Sequence, residues 1–403
     1  LRFLTLASFF LSLSVAAEDP LHLPIGDPAR REREAAVVLD AISDTARGDL
    51  ITPLELPARL SGVRLLLAGE SHTDMDSHRI QMRVLEGLYA AGRKVAIGLE
   101  MFPAGAQGLE AWMGGGISEE KFLQTSGWYQ HWGYNWGYYR DIFLFAREKK
   151  IPLVAVNAPR ETIAAVRRKG FEGLSAEERR GLPPSVDTES AEHLRLFKAS
   201  FEDADFHASM TEEQWKGLFA AQCAWDAAMA WHAVGALEKM GGESAILILL
   251  AGAGHVQYGL GIQRQAAKFF KGRIATLLPV AVADDQGRPV RRVKASYADF
   301  LWGVPAEEDP LYPNLGISTR AREEEKRLEI IHVEKDSPAE KAGLQTGDVL
   351  LALDGAEVRD RETLNRLLAA KNWGDAAGFS IKRKGDVLAV PVIFRREAPR
   401  VER

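Results

Sequence analysis

The sequence holds a single cysteine, Cys223, which excludes internal disulfides and thiolate zinc clusters, since both need at least two. Any metal must then be held by His, Tyr or carboxylate. Charge of one sign is also lacking: 51 Lys and Arg against 56 Asp and Glu leave a net charge of −5 over 403 residues. So weak a field names neither a nucleic acid nor an anionic membrane surface as partner. After the N-terminus no stretch approaches the ~18 uninterrupted apolar residues that a bilayer span requires. There is no internal repeat and no low-complexity tract. What remains is an ordinary globular composition, 46% hydrophobic and 27% charged, long enough for roughly two to three domains.

The first 17 residues have the pattern of a removable secretory signal. Arg2 gives a short positive region, Phe3 to Val15 an apolar run, and Val15-Ala16-Ala17 the small-residue cleavage pattern before Glu18. The expectation is a periplasmic or secreted protein with no membrane span. No cysteine stands near the cleavage point for lipid attachment.

Along residues 63–281 short apolar runs alternate with helical patterns. Val63–Ala68, Val95–Leu99, Leu153–Val156, Ile246–Ala251 and Ile274–Val280 are nearly continuous in apolar character, as strands buried on both faces should be. Ser77–Ala91, Glu189–Phe201 and Glu212–Met240 show helical apolar spacing, and a further helix is expected from about Arg31 to Ala46. The alternation predicts an α/β domain, a largely parallel sheet flanked by helices, over residues 28–304. Pro305, Pro310 and Pro313, with acidic residues between them, predict a linker over 305–313. Residues 314–396 then predict a small mixed β/α domain with strands at Leu328–Glu334, Val349–Leu353, Phe379–Arg383 and Val387–Phe394 and a helix from about Arg361 to Ala370.

That small domain resembles a PDZ domain of the bacterial periplasmic kind. Leu315-Gly316-Ile317 stands where the carboxylate-binding loop should be. Ser337-Pro338-Ala339-Glu340-Lys341-Ala342-Gly343-Leu344, then Thr346-Gly347-Asp348 and Leu353-Asp354-Gly355, match the rest of the signature. A glycine there lets successive N–H groups converge on a terminal carboxylate while a strand edge pairs with the extended peptide. The resemblance implies that the C-terminus of a partner protein binds at Leu315, Gly316 and Ile317.

In the larger domain, three turns carry ionisable groups at the ends of apolar strands: Gly69-Glu70-Ser71-His72, Gly98-Leu99-Glu100 and Gly252-Ala253-Gly254-His255. Ligands of open α/β sheets bind at the carboxyl ends of strands. Imidazole and carboxylate gathered there would bind a divalent cation or serve as general acid and base. A different signal lies in Trp128–Tyr139, which holds three of the nine Trp, four of the eight Tyr, and His131. Flat aromatic faces and phenols suit a macrocycle whose ferric iron takes a phenolic oxygen; they equally suit a cover for the sheet or a subunit contact.

Residues 35 to 300 resemble the ChaN-type haem-binding proteins of the Tiki superfamily. The resemblance runs through Ala68-Gly69-Glu70-Ser71-His72, Gly98-Leu99-Glu100-Met101-Phe102, Tyr139-Arg140-Asp141-Ile142, Ile151-Pro152 through Pro159-Arg160, Ala221-Gln222-Cys223-Ala224-Trp225-Asp226, and Gly252-Ala253-Gly254-His255. It implies haem near a homodimer contact with tyrosinate ligation, in a protein of bacterial iron uptake. Carried onto this sequence, the iron ligand is Tyr139, with Tyr134 and Tyr138 as the other phenols. His131 or His207 would face the iron or hydrogen-bond its ligand, and Arg140 and Arg160 would neutralise the propionates. The same superfamily includes metal-dependent peptidases and hydrolases. Their pattern implies a second use of these residues, in which His72, Glu100 and His255 hold an ion such as Mn²⁺ or Co²⁺ and Glu70 acts as base.

Overall fold

The computed structural model describes residues 18–201, 210–306, 310–322 and 324–396. The proposed signal sequence and His207 lie outside the described residues. The larger domain is built on one eight-stranded sheet. Its strands are β1 (Ile42–Asp44), β2 (Asp49–Ile51), β3 (Val63–Glu70), β4 (Lys94–Pro103), β5 (Leu153–Asn157), β6 (Ala245–Gly252), β7 (Arg273–Ala281) and β8 (Phe300–Val304). They lie in the order β2-β1-β8-β7-β3-β6-β4-β5. From β8 to β5 every pairing is parallel, while β1 and β2 add an antiparallel margin.

Strands with no wet face explain the unbroken apolar runs. On β3, Leu66 and Ala68 enter one core with Ile246, Ile248 and Leu250 of β6. Leu65 and Leu67 enter the other with Leu247, Leu249 and Ala251. Successive side chains point to opposite faces of a strand, so both faces must be apolar. The first face is covered by α1 (Met75–Ala90), through Ile80, Val84, Leu85 and Leu88, and by the aromatic run; α2 (Trp128–His131) and α3 (Arg160–Lys169) follow in the chain. The second face is covered by the 29-residue α4 (Glu212–Met240), whose start is fixed by a capping box between Thr211 and Gln214.

The expected helix at Arg31–Ala46 is not formed. The segment instead makes a short ladder, Glu34–Ala36 against Arg292–Lys294, and then β1. Val37 and Val38 are β-branched, and Asp40 takes a left-handed φ of 52° that a helix does not accept.

After β8 the chain passes to the small domain. Its sheet runs β9 (Ile317–Arg322), β10 (Arg327–Val333), β11 (Val349–Leu353), β12 (Ala376–Arg383) and β13 (Asp386–Ile393), all antiparallel, with α5 (Arg361–Ala369) over the core. Among the described residues strand β9 pairs only with β10, which leaves its other edge free of strand pairing. Helix α5 also packs on α2: Asn365 Nδ2 donates to Tyr129 O at 3.0 Å and Asn135 Nδ2 to Ala369 O at 2.9 Å.

Candidate functional site

Strands β3, β6 and β4 are neighbours, so their carboxyl ends deliver the three expected turns to one place. Glu70 is the last residue of β3 and its carboxylate is fully buried. It accepts from His72 Nδ1 at 2.8 Å, the Tyr139 hydroxyl at 2.6 Å and Gln81 Nε2 at 2.7 Å. Burial alone would raise its pKa, but the electrostatic pull of His78 and His72 and the hydrogen bonds from His72 and Tyr139 prevail and hold it at about 2. Glu70 is an anchor for its neighbours and does not line the cavity described below.

Glu100 sits inside β4, at a register shift in the pairing with β5 between Leu99 and Pro103, which turns its side chain toward β6. Its Oε2 accepts from the Gly252 N–H at 2.7 Å and its Oε1 lies 3.4 Å from His255 Nε2. His255 Nδ1 meets Asp226 Oδ1 at 2.6 Å. Burial opposes charge on His255, but two carboxylates raise its pKa to about 10. On the far side of Asp226, His193 Nε2 is 3.7 Å from Oδ2, and burial brings that imidazole down to about 4. A Cβ at Gly252 would lie 3.0 Å from the His72 ring, so a larger residue there would make the imidazole give by a few tenths of an ångström.

His72, Glu100, His131, Trp132, Tyr134, Arg160, Trp225 and His255 line a single cavity of about 210 Å³. His72 is held by its Nδ1 bond to Glu70 and by ring contacts to Trp132 (4.8 Å) and Tyr134 (4.6 Å). Tyr134 reaches the cavity with its phenol pKa raised to about 12, by burial first and then by Glu100 and Glu70. Arg160, at the start of α3, lines the same wall and donates from Nη2 to His131 O at 2.9 Å. The turn expectations thus converge: His72, Glu100 and His255 are together.

Other expected residues are placed differently. Tyr139, expected to meet iron, is fully buried and spends its hydroxyl on Glu70, which pushes its pKa well up along with burial. Tyr138 lines a separate, mostly apolar trough of about 710 Å³ with His78, Ile142 and Trp302, and its oxygen accepts from the Tyr312 N–H at 3.1 Å. Arg140 points away to an exposed ion pair with Glu119 at 2.8 Å. Among the described residues no three His, Cys, Asp or Glu are grouped so as to hold an ion. His72 has one nitrogen on Glu70, and both His255 nitrogens face carboxylates. Asp226, Gln81 and His78 were not singled out from the sequence. Asp226 had a visible signal, a lone acid in the apolar stretch Cys223–Ala230.

A family model described as haem-binding uptake, Tiki superfamily, ChaN matches residues 56–265, just over half of the 403-residue chain. The chain belongs to this ChaN family. A PDZ domain model matches residues 313–393 of this ChaN-family chain. A solved structure described as cofacial heme binding to ChaN of Campylobacter jejuni is similar at 18% identity and a TM-score of 0.49, covering 65% of this chain and 95% of that one. The HtrA-type protease AlgW with decapeptide is similar at 23% identity and a TM-score of 0.20, covering 22% of this chain and 30% of that one. A probable periplasmic serine endoprotease, DegP-like, of Hahella chejuensis is 38% identical over 63 residues, which are 16% of this chain and 13% of that protein. The chain spans only about an eighth of the length of that curated relative.

Proposed function

We propose that this ChaN-family chain is an exported haem-binding protein of iron handling, with haem at the cavity beside Tyr134 and a partner's C-terminus at the PDZ groove. One observation carries the choice of site: Tyr134 is the phenol that lines the cavity, and no hydrogen bond of its hydroxyl is seen among the described residues. Haem, when bound, supplies a ferric centre for which a phenolate is a known ligand. The donor set fits it. Trp132 and Trp225 offer flat apolar faces, and Arg160 offers a guanidinium matched to a propionate. His72, fixed at Nδ1 by Glu70, takes or gives a proton at Nε2 for an oxygen in the cavity. At about 210 Å³ the cavity is below the roughly 300–1,000 Å³ of sites that enclose their ligands. A porphyrin there would remain partly open, and the homodimer that the family resemblance implies would let a second copy complete the cover.

Haemin titration of the full chain tests this. Tyr134→Phe should remove the tyrosinate-type ferric spectrum and weaken binding, while Tyr138→Phe and Tyr139→Phe keep the spectrum. A Tyr134→Phe protein with unchanged spectrum and affinity would overturn the site. Export is tested on protein expressed with its N-terminus intact, where the mature chain should begin at Glu18.

A second reading is favoured by the two carboxylate-anchored imidazoles, Glu70–His72 and Asp226–His255, facing one cavity. Paired in this way they suit acid–base hydrolysis, with His72 as the proton-transfer group in place of Glu70. His72→Ala should then abolish turnover on a peptide and ester panel, and a panel with no turnover by the wild type would remove this reading.

A further inference from the structure

The groove that a PDZ domain offers to an extended peptide lies here between the open edge of β9 and α5. That edge is already engaged. Arg361, in the first turn of α5, reaches across and donates from Nη2 to the Thr319 carbonyl at 3.1 Å. Thr319 is in β9, where the pairing with β10 shifts register between Ser318 and Thr319, and its carbonyl is turned to the α5 side. A peptide strand pairing with β9 needs that carbonyl as acceptor, and Arg361 must leave it first.

The first turn of α5 also adjoins the larger domain, where Glu362 shares a hollow with His131 and Pro159. The positive charges of Arg361 and Arg160 are close enough to repel: burial lowers the Arg160 pKa, and Arg361 lowers it further. Arg160 lines the cavity beside Tyr134. Like charge disfavours Arg361 turning toward the cavity and favours its bond to Thr319. Helix α5 is tied to the cavity's own segment as well, by Asn365 to Tyr129 and by Asn135 to Ala369.

We propose that Arg361 is a latch with two positions, closed on Thr319 against peptide and released toward the Arg160 side of the cavity, so that a C-terminal peptide and an anionic cavity ligand each favour the binding of the other. The peptide frees the guanidinium to add its charge to the cavity. A carboxylate-bearing ligand at Arg160 draws the guanidinium from the peptide edge. The cavity half of this coupling rests on the haem reading above; the peptide half does not.

The test uses the full chain and four heptapeptides with free carboxylates, ending in Val, Leu, Phe or Ala, with amidated versions as controls. Arg361 is exposed, so Arg361→Ala leaves the core intact. R361A should bind at least one free-carboxylate peptide about fivefold more tightly than the wild type, the lower end of typical coupling. Saturating haemin should tighten that peptide's binding to the wild type by a similar factor and leave R361A unchanged. The same peptide should tighten haemin equally, as linkage demands. Equal peptide binding by wild type and R361A, or binding by neither, overturns the latch. Haemin affinity unmoved by saturating peptide overturns the coupling. Failure of haemin to bind without peptide is a different result: it removes the haem reading and the cavity half, while the peptide comparison still decides the latch.

Discussion

Asp226 has no exposed surface, yet it sets the charge of His255 from within an otherwise apolar stretch of α4. Glu70 does the same for His72 from the end of β3. Each is a buried acid compensated by hydrogen bonds, so removing a partner leaves an expensive charge behind. Tyr139→Phe removes a hydrogen bond to an ionised group and should destabilise the fold by about 1.5–3 kcal/mol in denaturant unfolding, without shifting the haemin spectrum. The pH dependence follows from the same groups. Glu70, lowered from its usual 4.5 to about 2, contributes stability that is present above about pH 4.5 and lost as pH falls toward 2. His255, raised from its usual 6.5 to about 10, contributes stability that is full below about pH 6.5 and lost as pH rises through 10. Melting temperature should therefore decline on the alkaline side between those values, and the His255 ring should stay protonated at pH 8 by NMR. A neutral His255 at that pH would contradict the pairing with Glu100 and Asp226. Gly252→Ala, whose Cβ would meet His72, should perturb the cavity through that ring. At this scale the sequence revealed the residues on strand ends, because a strand's carboxyl end is a fixed place. It did not reveal Glu70's burial or Asp226's partner, since those depend on which side chains arrive from α1 and α4.

Among elements, the central strands and α4 were legible because burial on both faces leaves a mark in every residue. The Arg31–Ala46 segment misled because its apolar residues fit a helical period, while Asp40 and the two valines selected extended chain. The aromatic run Trp128–Tyr139 was readable as a cluster but not as separate roles. In the fold it splits: Trp128 and Tyr139 fill the core, Tyr138 faces the trough, and Trp132 and Tyr134 face the cavity. Spacing alone does not resolve this, because α2 is only one turn long and the chain after it is irregular. In the PDZ unit, Gly316 has a φ of 76° and a Cβ there would lie 2.2 Å from Ser337 Cβ. Gly316→Ala should distort the carboxylate loop and lower the melting temperature of the small domain, with peptide binding lost. Retained peptide affinity in that variant would argue against Leu315-Gly316-Ile317 as the carboxylate cradle.

For the whole molecule, the two domains meet through α5 on α2, the contact on which the proposed coupling of the two sites depends. Asn135→Ala with Asn365→Ala removes two interdomain hydrogen bonds. The double variant should free the PDZ unit, read as faster proteolysis in the 305–316 connection and a larger radius of gyration by solution scattering. Unchanged values would show that the domains are held by other contacts. The larger domain has a polar cavity at the sheet's rim and an apolar trough beside α1, and the proposed haem site is the first. Anomalous scattering from iron in crystals of the haemin complex decides between them most directly. Iron within bonding reach of the Tyr134 oxygen, beside His72 and Trp132, is the expected result; iron in the trough beside Tyr138, or away from both, would contradict the proposed site.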